Sequence, residues 1–145
     1  MVNGIDHIGI AVASIAEARV FYEALGLSVT AIEDVPGEGV RVALIPCGAT
    51  RIELLEPLSP DTFVGRFLAR KGPGIHHICL ATGDILGDSE ALRRGGVELL
   101  KEQPTPGAAR CWVQFVHPKS SGGVLYELSQ PIEAEEDVHS GAARP

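Results

Sequence analysis

The chain has 145 residues, 45% of them hydrophobic, which suits one soluble domain with a real core. Its formal charge of −7 at pH 7 argues against non-specific binding to nucleic acid or an anionic membrane, so a small acidic ligand would need a local basic patch. No apolar run approaches the roughly 20 residues of a membrane-spanning helix. The opening Met-Val-Asn-Gly-Ile-Asp-His lacks a charged stretch followed by an apolar run, so no signal peptide is expected. Cys47, Cys79 and Cys111 are odd in number and far apart. They point to buried thiols in a reducing cytoplasm, not to a disulfide framework or a cysteine-rich zinc site.

Taken in order, residues 5–12 alternate as a strand does, with Ile8, Ile10 and Val12 on one face and His7, Gly9 and Ala11 on the other. The second face is small-sided around its histidine. Ser14 opens a helix in a capping-box pattern with Glu17, and Gly26 stops it. Leu27–Ile32 reads as a strand, Val35–Gly39 as a loop, Val40–Ile45 and Thr50–Leu55 as two more strands around the turn Cys47-Gly48-Ala49. A helical connector follows over 59–72, with Asp61 as its expected cap and Phe63, Val64, Phe67 and Leu68 as its apolar stripe.

The pattern then replays. Ile75–Ala81 is a strand, Asp84–Arg94 a weaker helix interrupted by Gly87, and Val97–Leu100 a strand; Pro104–Gly107 is a loop. Trp112–Val116 and Val124–Leu128 are strands around the turn Pro118–Gly123. The expected fold class is α+β: one domain over 1–131 made of two βαβββ modules, about 4–58 and 73–131. From 132 to 145 an acidic, disordered tail is expected.

The two halves share more than their element order. Asp6-His7-Ile8-Gly9-Ile10 returns as His76-His77-Ile78-Cys79-Leu80, and Ile52-Glu53-Leu54 returns as Tyr126-Glu127-Leu128. Each half thus contributes one early histidine and one late glutamate. A carboxylate inside an apolar strand that pointed into a closed cavity would cost several kcal/mol unless paired or metal-bound. Two imidazoles and two carboxylates suit a borderline divalent ion, so His7, Glu53, His77 and Glu127 are the candidate metal ligands. Strand alternation lets only one of the adjacent His76 and His77 reach the cavity, and aligning Ile78 with Ile8 selects His77.

The motifs D-H-I-G-I-A-V, I-E-L-L-E-P, H-H-I and H-P-K-S-x-G-G-V-L-x-E-L resemble the vicinal oxygen chelate superfamily over roughly residues 4–131. Within it they are most similar to the methylmalonyl-CoA epimerase branch. The resemblance implies a curved mixed sheet around a central metal cavity, a divalent cofactor (cobalt first, with manganese, nickel or zinc as alternatives), an acyl-CoA thioester substrate and a homodimer. The implied reaction is a 1,1-proton transfer at C2 through a metal-stabilised enolate. It assigns acid/base roles to Glu127 and to a glutamate in the loop before the third strand, where Glu38 is the candidate because Gly37 holds the place usual in relatives. Lys119, Ser120, Gly122 and Arg110 are the low-ranked candidates for contacts to substrate carboxylate or CoA phosphate. His117 reads as structural or substrate-facing, and the facing of Gln114 is ambiguous. Competing readings on the same fold are a glyoxalase I-type lyase, a metal-free ligand-sequestering protein and, less well matched, a ring-cleaving dioxygenase.

Overall fold

The computed structural model describes residues 1–133; of the expected tail, everything from 134 on lies outside the described residues. The elements run β1 (Val2–Ala11), α1 (Ile15–Ala24), β2 (Ala31–Val35), β3 (Val40–Cys47), β4 (Thr50–Pro57), α2 (Phe63–Lys71), β5 (Gly74–Thr82), α3 (Ile85–Arg94), β6 (Thr105–Gly107), β7 (Cys111–Val116) and β8 (Tyr126–Pro131). The class is α+β, with strand-helix-strand-strand-strand occurring twice and α2 between the two occurrences. The chain clusters into two compact units, Asp6–Ile78 and Met1–Ile5 together with the chain from Cys79.

In the Asp6–Ile78 unit the strands lie in the order β2-β3-β4-β1. Only the β1–β4 pair is parallel, with Ile8 opposite Ile52 and Gly9 opposite Glu53; β2–β3 and β3–β4 are antiparallel. One face of β3 and β4 supplies Ala43, Ile45 and Leu54 to a core completed by Val12 and Ile15, with Ala18 and Tyr22 of α1 packed against it. Since β3 is buried on both faces from Val42 to Ile45, its alternation is hidden in a continuous apolar run. Glu53 therefore lies on the face of β4 opposite the α1 core, beside Leu44 of β3.

Ser14 caps α1 as expected, its Oγ accepting the Glu17 N–H at 3.2 Å. The next strand begins later than the hydrophobic pattern suggests. Leu27 N–H donates to Tyr22 O at 3.1 Å, closing the helix end, and the ladder starts at Thr30 N–H to Leu44 O, 2.9 Å. Leu27 and Val29 are apolar because they pack on the core, not because they pair. Residues 36–38 form a 3-10 turn closed by Gly39 at φ 67°, where a Cβ would also meet Thr62 Cγ2 at 2.5 Å. Thr62, not Asp61, caps α2: its Oγ1 accepts the Gly65 N–H at 3.0 Å. Phe63 belongs to no buried stripe; it is exposed, with the Arg66 guanidinium over its ring.

The remaining strands follow in the order β5-β8-β7-β6. Gly87 does not interrupt α3. The Asp84 carboxylate caps the helix by accepting the Gly87 N–H at 3.0 Å, and a Cβ on Gly87 would run into that carboxylate. Residues 97–100 form a single bridge, Leu99 to Val116, instead of a strand. The strand of this module is instead β6, over Thr105–Gly107, where the sequence predicts a loop. Its Pro106 is tolerated because β6 ends the strand order, where no further neighbour needs its missing N–H. Gln114 faces inward, fully buried. Its amide pins the 97–101 segment by accepting from Lys101 N–H at 3.1 Å and donating to Lys101 O at 2.9 Å.

Candidate metal centre

The inward face of β1 is His7, Gly9 and Ala11, all buried. Opposite Gly9 on β4 stands Glu53, 4% exposed, and His77 on β5 is 5% exposed. Gly9 is needed for this arrangement, because a Cβ there would stand 2.6 Å from His77 Nδ1. The His77 ring lies where that side chain would be and meets the His7 ring edge-on, centroids 5.2 Å apart. His7 Nε2 and His77 Nε2 approach to 3.1 Å. His7 Nδ1 is 3.3 Å from Glu53 Oε2. It is therefore His77, and not the half-buried His76, that meets His7.

Three residues outside the candidate set complete the arrangement. The Asp6 carboxylate accepts from His7 Nδ1 at 2.8 Å. Arg51 donates to Glu53 Oε2 from Nη2 at 2.6 Å and from Nε at 2.9 Å, and to Asp6 Oδ2 at 2.9 Å. The hydrogen bond from His7 holds the Asp6 carboxyl below its usual range; burial opposes this, and the Arg51 charge assists it. His76 Nδ1 lies 3.0 Å from His77 Nδ1, while its ring packs edge-on against Phe67 of α2. Strand periodicity carries a signal for Arg51, since residues i and i+2 share a face and place it beside Glu53. Asp6 and His76 carry a weaker signal, each being the immediate neighbour of a candidate histidine.

The donor chemistry fits a divalent ion. Two nitrogens bound to one ion at about 2.0–2.1 Å stand roughly 3.0–3.4 Å apart, which brackets the 3.1 Å between the two Nε2 atoms. With Asp6 ionised and hydrogen-bonded to His7 Nδ1, the His7 proton sits on Nδ1 and its Nε2 presents a lone pair. Two carboxylates face one guanidinium here, which leaves an anionic excess for a cation to balance.

The remaining candidates belong to other elements. Glu127 is on β8, 6% exposed and opposite Phe115 of β7. Glu38 is half-buried at the end of the 36–38 turn. Lys119 pairs with Glu98, Nζ to Oε2 2.5 Å, and Ser120 Oγ accepts the Glu98 N–H at 3.0 Å. Gly122 has φ 73° in the same turn, where the N–H groups of Ser120, Ser121 and Gly123 donate to carbonyls of His117 and Pro118. His117 is a cap, its Nδ1 accepting the Lys119 N–H at 3.1 Å. Arg110 is exposed in the turn between β6 and β7, and both it and Ala109 take positive φ, 53° and 57°.

Residues 6–115 match the family model described as Glyoxalase/Bleomycin resistance protein/Dioxygenase superfamily. The chain is 40% identical over 134 residues to the ethylmalonyl-CoA/methylmalonyl-CoA epimerase of Cereibacter sphaeroides, covering 90% of this chain and 99% of that one. It is 38% identical over 128 residues to the human mitochondrial methylmalonyl-CoA epimerase, covering 87% and 73% respectively. A solved structure of a Streptomyces coelicolor methylmalonyl-CoA epimerase variant, in complex with 2-nitronate-propionyl-CoA, superposes with a TM-score of 0.89 at 36% identity, covering 92% of this chain and all of that one.

Proposed function

The chain belongs to the glyoxalase/bleomycin resistance protein/dioxygenase superfamily, and from that premise we propose that it interconverts the two C2 epimers of methylmalonyl-CoA. The observation that carries this reading is the meeting of two buried imidazoles beside a buried carboxylate in a chain this similar to named epimerases. His7, Glu53 and His77 would hold a divalent ion. Glu127, which occupies in its module the place Glu53 occupies in the other, is proposed as the fourth ligand. When bound, such an ion supplies Lewis-acid stabilisation of developing charge on substrate oxygen.

The chain's own work is to move the C2 proton. That carbon lies between a thioester and a carboxylate, so removing its proton leaves an enolate, and returning a proton on the opposite face inverts the centre. Inversion needs an acid/base group on each face. Glu127 and Glu38 are assigned to these roles. The Glu38 turn is held by Gly39, whose carbonyl accepts the Leu58 N–H at 2.9 Å. Arg110 and the Lys119-Ser120-Gly122 turn are assigned to the anionic groups of the acyl-CoA. Cobalt as the native ion, a homodimeric state and a cytoplasmic location complete the proposal. No helix among the described residues is long and apolar enough to cross a membrane.

Deuterium uptake at C2 of methylmalonyl-CoA in heavy water, with and without cobalt, tests this reading. The wild-type protein is expected to exchange and epimerise in a cobalt-dependent manner. Glu38→Gln should still exchange one epimer while inversion falls by about 10²–10⁴-fold, and Glu127→Gln should show the complementary preference. Absence of cobalt-dependent exchange in the wild type would overturn the assignment.

A further inference from the structure

The helix α2, Phe63–Lys71, carries Arg66, Arg70 and Lys71 and no carboxylate, in a chain whose net charge is −7. Among the described residues none of these three cations forms an ion pair. Arg66 donates from Nη1 to the backbone carbonyl of Asp61 at 2.6 Å and lies over the Phe63 ring, 5.3 Å from its centroid. Lys71 lies over the Phe67 ring at 5.8 Å, and Arg70 is exposed. A helix dipole favours cations in the last turn, which accounts for Arg70 and Lys71. It does not account for Arg66 in the middle of the helix, nor for Phe63, which is 65% exposed. Positions 63, 66 and 70 are spaced i, i+3 and i+7, so they share one face, turned away from the buried Val64 and Gly65. That face is an aromatic ring beside two guanidinium groups whose charge no carboxylate balances.

The helix also lies close to the groups assigned to the reaction, within the same Asp6–Ile78 unit. At its start, Thr62 Cγ2 stands 2.5 Å from where a Cβ on Gly39 would be, beside the turn that carries Glu38. In its middle, Phe67 packs edge-on against His76, centroids 5.1 Å apart, and His76 precedes the candidate ligand His77 in β5. An acyl-CoA thioester extends far beyond its reacting acyl group and ends in a diphosphate, a 3′-phosphate and an adenine ring. An acidic chain repels those phosphates unless local cations oppose its field. Guanidinium groups meet phosphate oxygens through their planar fork, and an exposed aromatic ring stacks a base. We propose that the outer face of α2 is the subsite for the nucleotide end of the acyl-CoA, with Phe63 stacking the adenine and Arg66 and Arg70 pairing with its phosphates. This rests on the functional reading above, and it names where the charged end of that substrate is held.

The test compares two substrates in the full chain: methylmalonyl-CoA, and the methylmalonyl thioester of pantetheine, which has neither phosphates nor adenosine. Arg66→Gln and Arg70→Gln should each raise KM for methylmalonyl-CoA about tenfold with kcat unchanged, the pattern of binding lost equally from ground and transition states. Phe63→Ala should do the same, and Phe63→Tyr, which keeps the ring, should recover most of the loss. None of these variants should change KM for the pantetheine thioester. Calorimetry with CoA itself should show the same tenfold losses without any turnover. Arg19→Gln removes one positive charge from α1, where Arg19 pairs with Glu23 at 2.7 Å, and should leave CoA affinity as in the wild type. Wild-type KM and CoA affinity in the α2 variants, or an equal rise in KM for both thioesters, overturns this inference and leaves the functional reading intact. A wild-type protein that neither epimerises methylmalonyl-CoA nor binds CoA overturns both.

Discussion

Gly9 shows how a residue without a side chain can determine a site. The His77 ring occupies the space a Cβ at position 9 would need, with His77 Nδ1 only 2.6 Å from it. Gly9→Ala must therefore push His77 away from His7 or distort β1. Overpacking of this kind costs about 1–3 kcal/mol, and calorimetry with cobalt should show weakened binding in the same variant. A Gly9→Ala protein with wild-type stability and cobalt affinity would mean that His77 adapts freely. In the sequence, the small face around His7 is visible as a gap, but the ring that fills the gap comes from a strand far along the chain. His7, His77, Glu53 and Glu127 stand out because the halves repeat, and repetition marks shared positions without any knowledge of distance. Asp6, Arg51 and His76 do not repeat in kind: His76 stands in the place of Asp6, and Leu125, two residues before Glu127, stands in the place of Arg51. Their sequence signal is only nearness to a candidate ligand, and the hydrogen bonds give each its partner.

Elements are legible wherever one physical signal dominates, and displaced wherever two compete. The run Leu27–Ile32 looks like a strand, yet the helix end claims Leu27 through its bond to Tyr22 O, and pairing starts only at Thr30. At α2, Asp61 and Thr62 both qualify as caps by composition, and the backbone geometry gives the role to Thr62. The Thr62 side chain also packs at Gly39, next to the turn that carries Glu38. Thr62→Ala should thus cost about 1 kcal/mol through the lost cap, read as a shift in the denaturation midpoint. Asp61→Ala should leave the midpoint near that of the wild type, and an equal loss in both variants would contradict the assignment of the cap. Short strands are the least legible. Residues 105–107 read as a loop because Pro104 and Pro106 flank Thr105, and a strand at the end of the order tolerates what a central one does not.

At the scale of the molecule, the Asp6–Ile78 unit gathers His7, Glu53 and His77 from β1, β4 and β5. An unfolded chain cannot hold the three proposed ligands together, so an ion bound as proposed would stabilise the folded state by mass action. At free cobalt of about 100 times the dissociation constant the gain is about 2.7 kcal/mol, which for a chain of this length corresponds to a rise in Tm of roughly 5–10 °C. Glu53→Gln should abolish most of that rise, since the amide keeps the shape of the side chain and removes its charge. It also leaves Arg51 with Asp6 as a carboxylate partner, at 2.9 Å, so the metal-free variant should remain folded. Scanning calorimetry of both proteins with and without cobalt separates the two contributions. A wild-type Tm indifferent to cobalt, or an equal rise in Glu53→Gln, would show that the ion does not bind through the donors gathered by β1, β4 and β5.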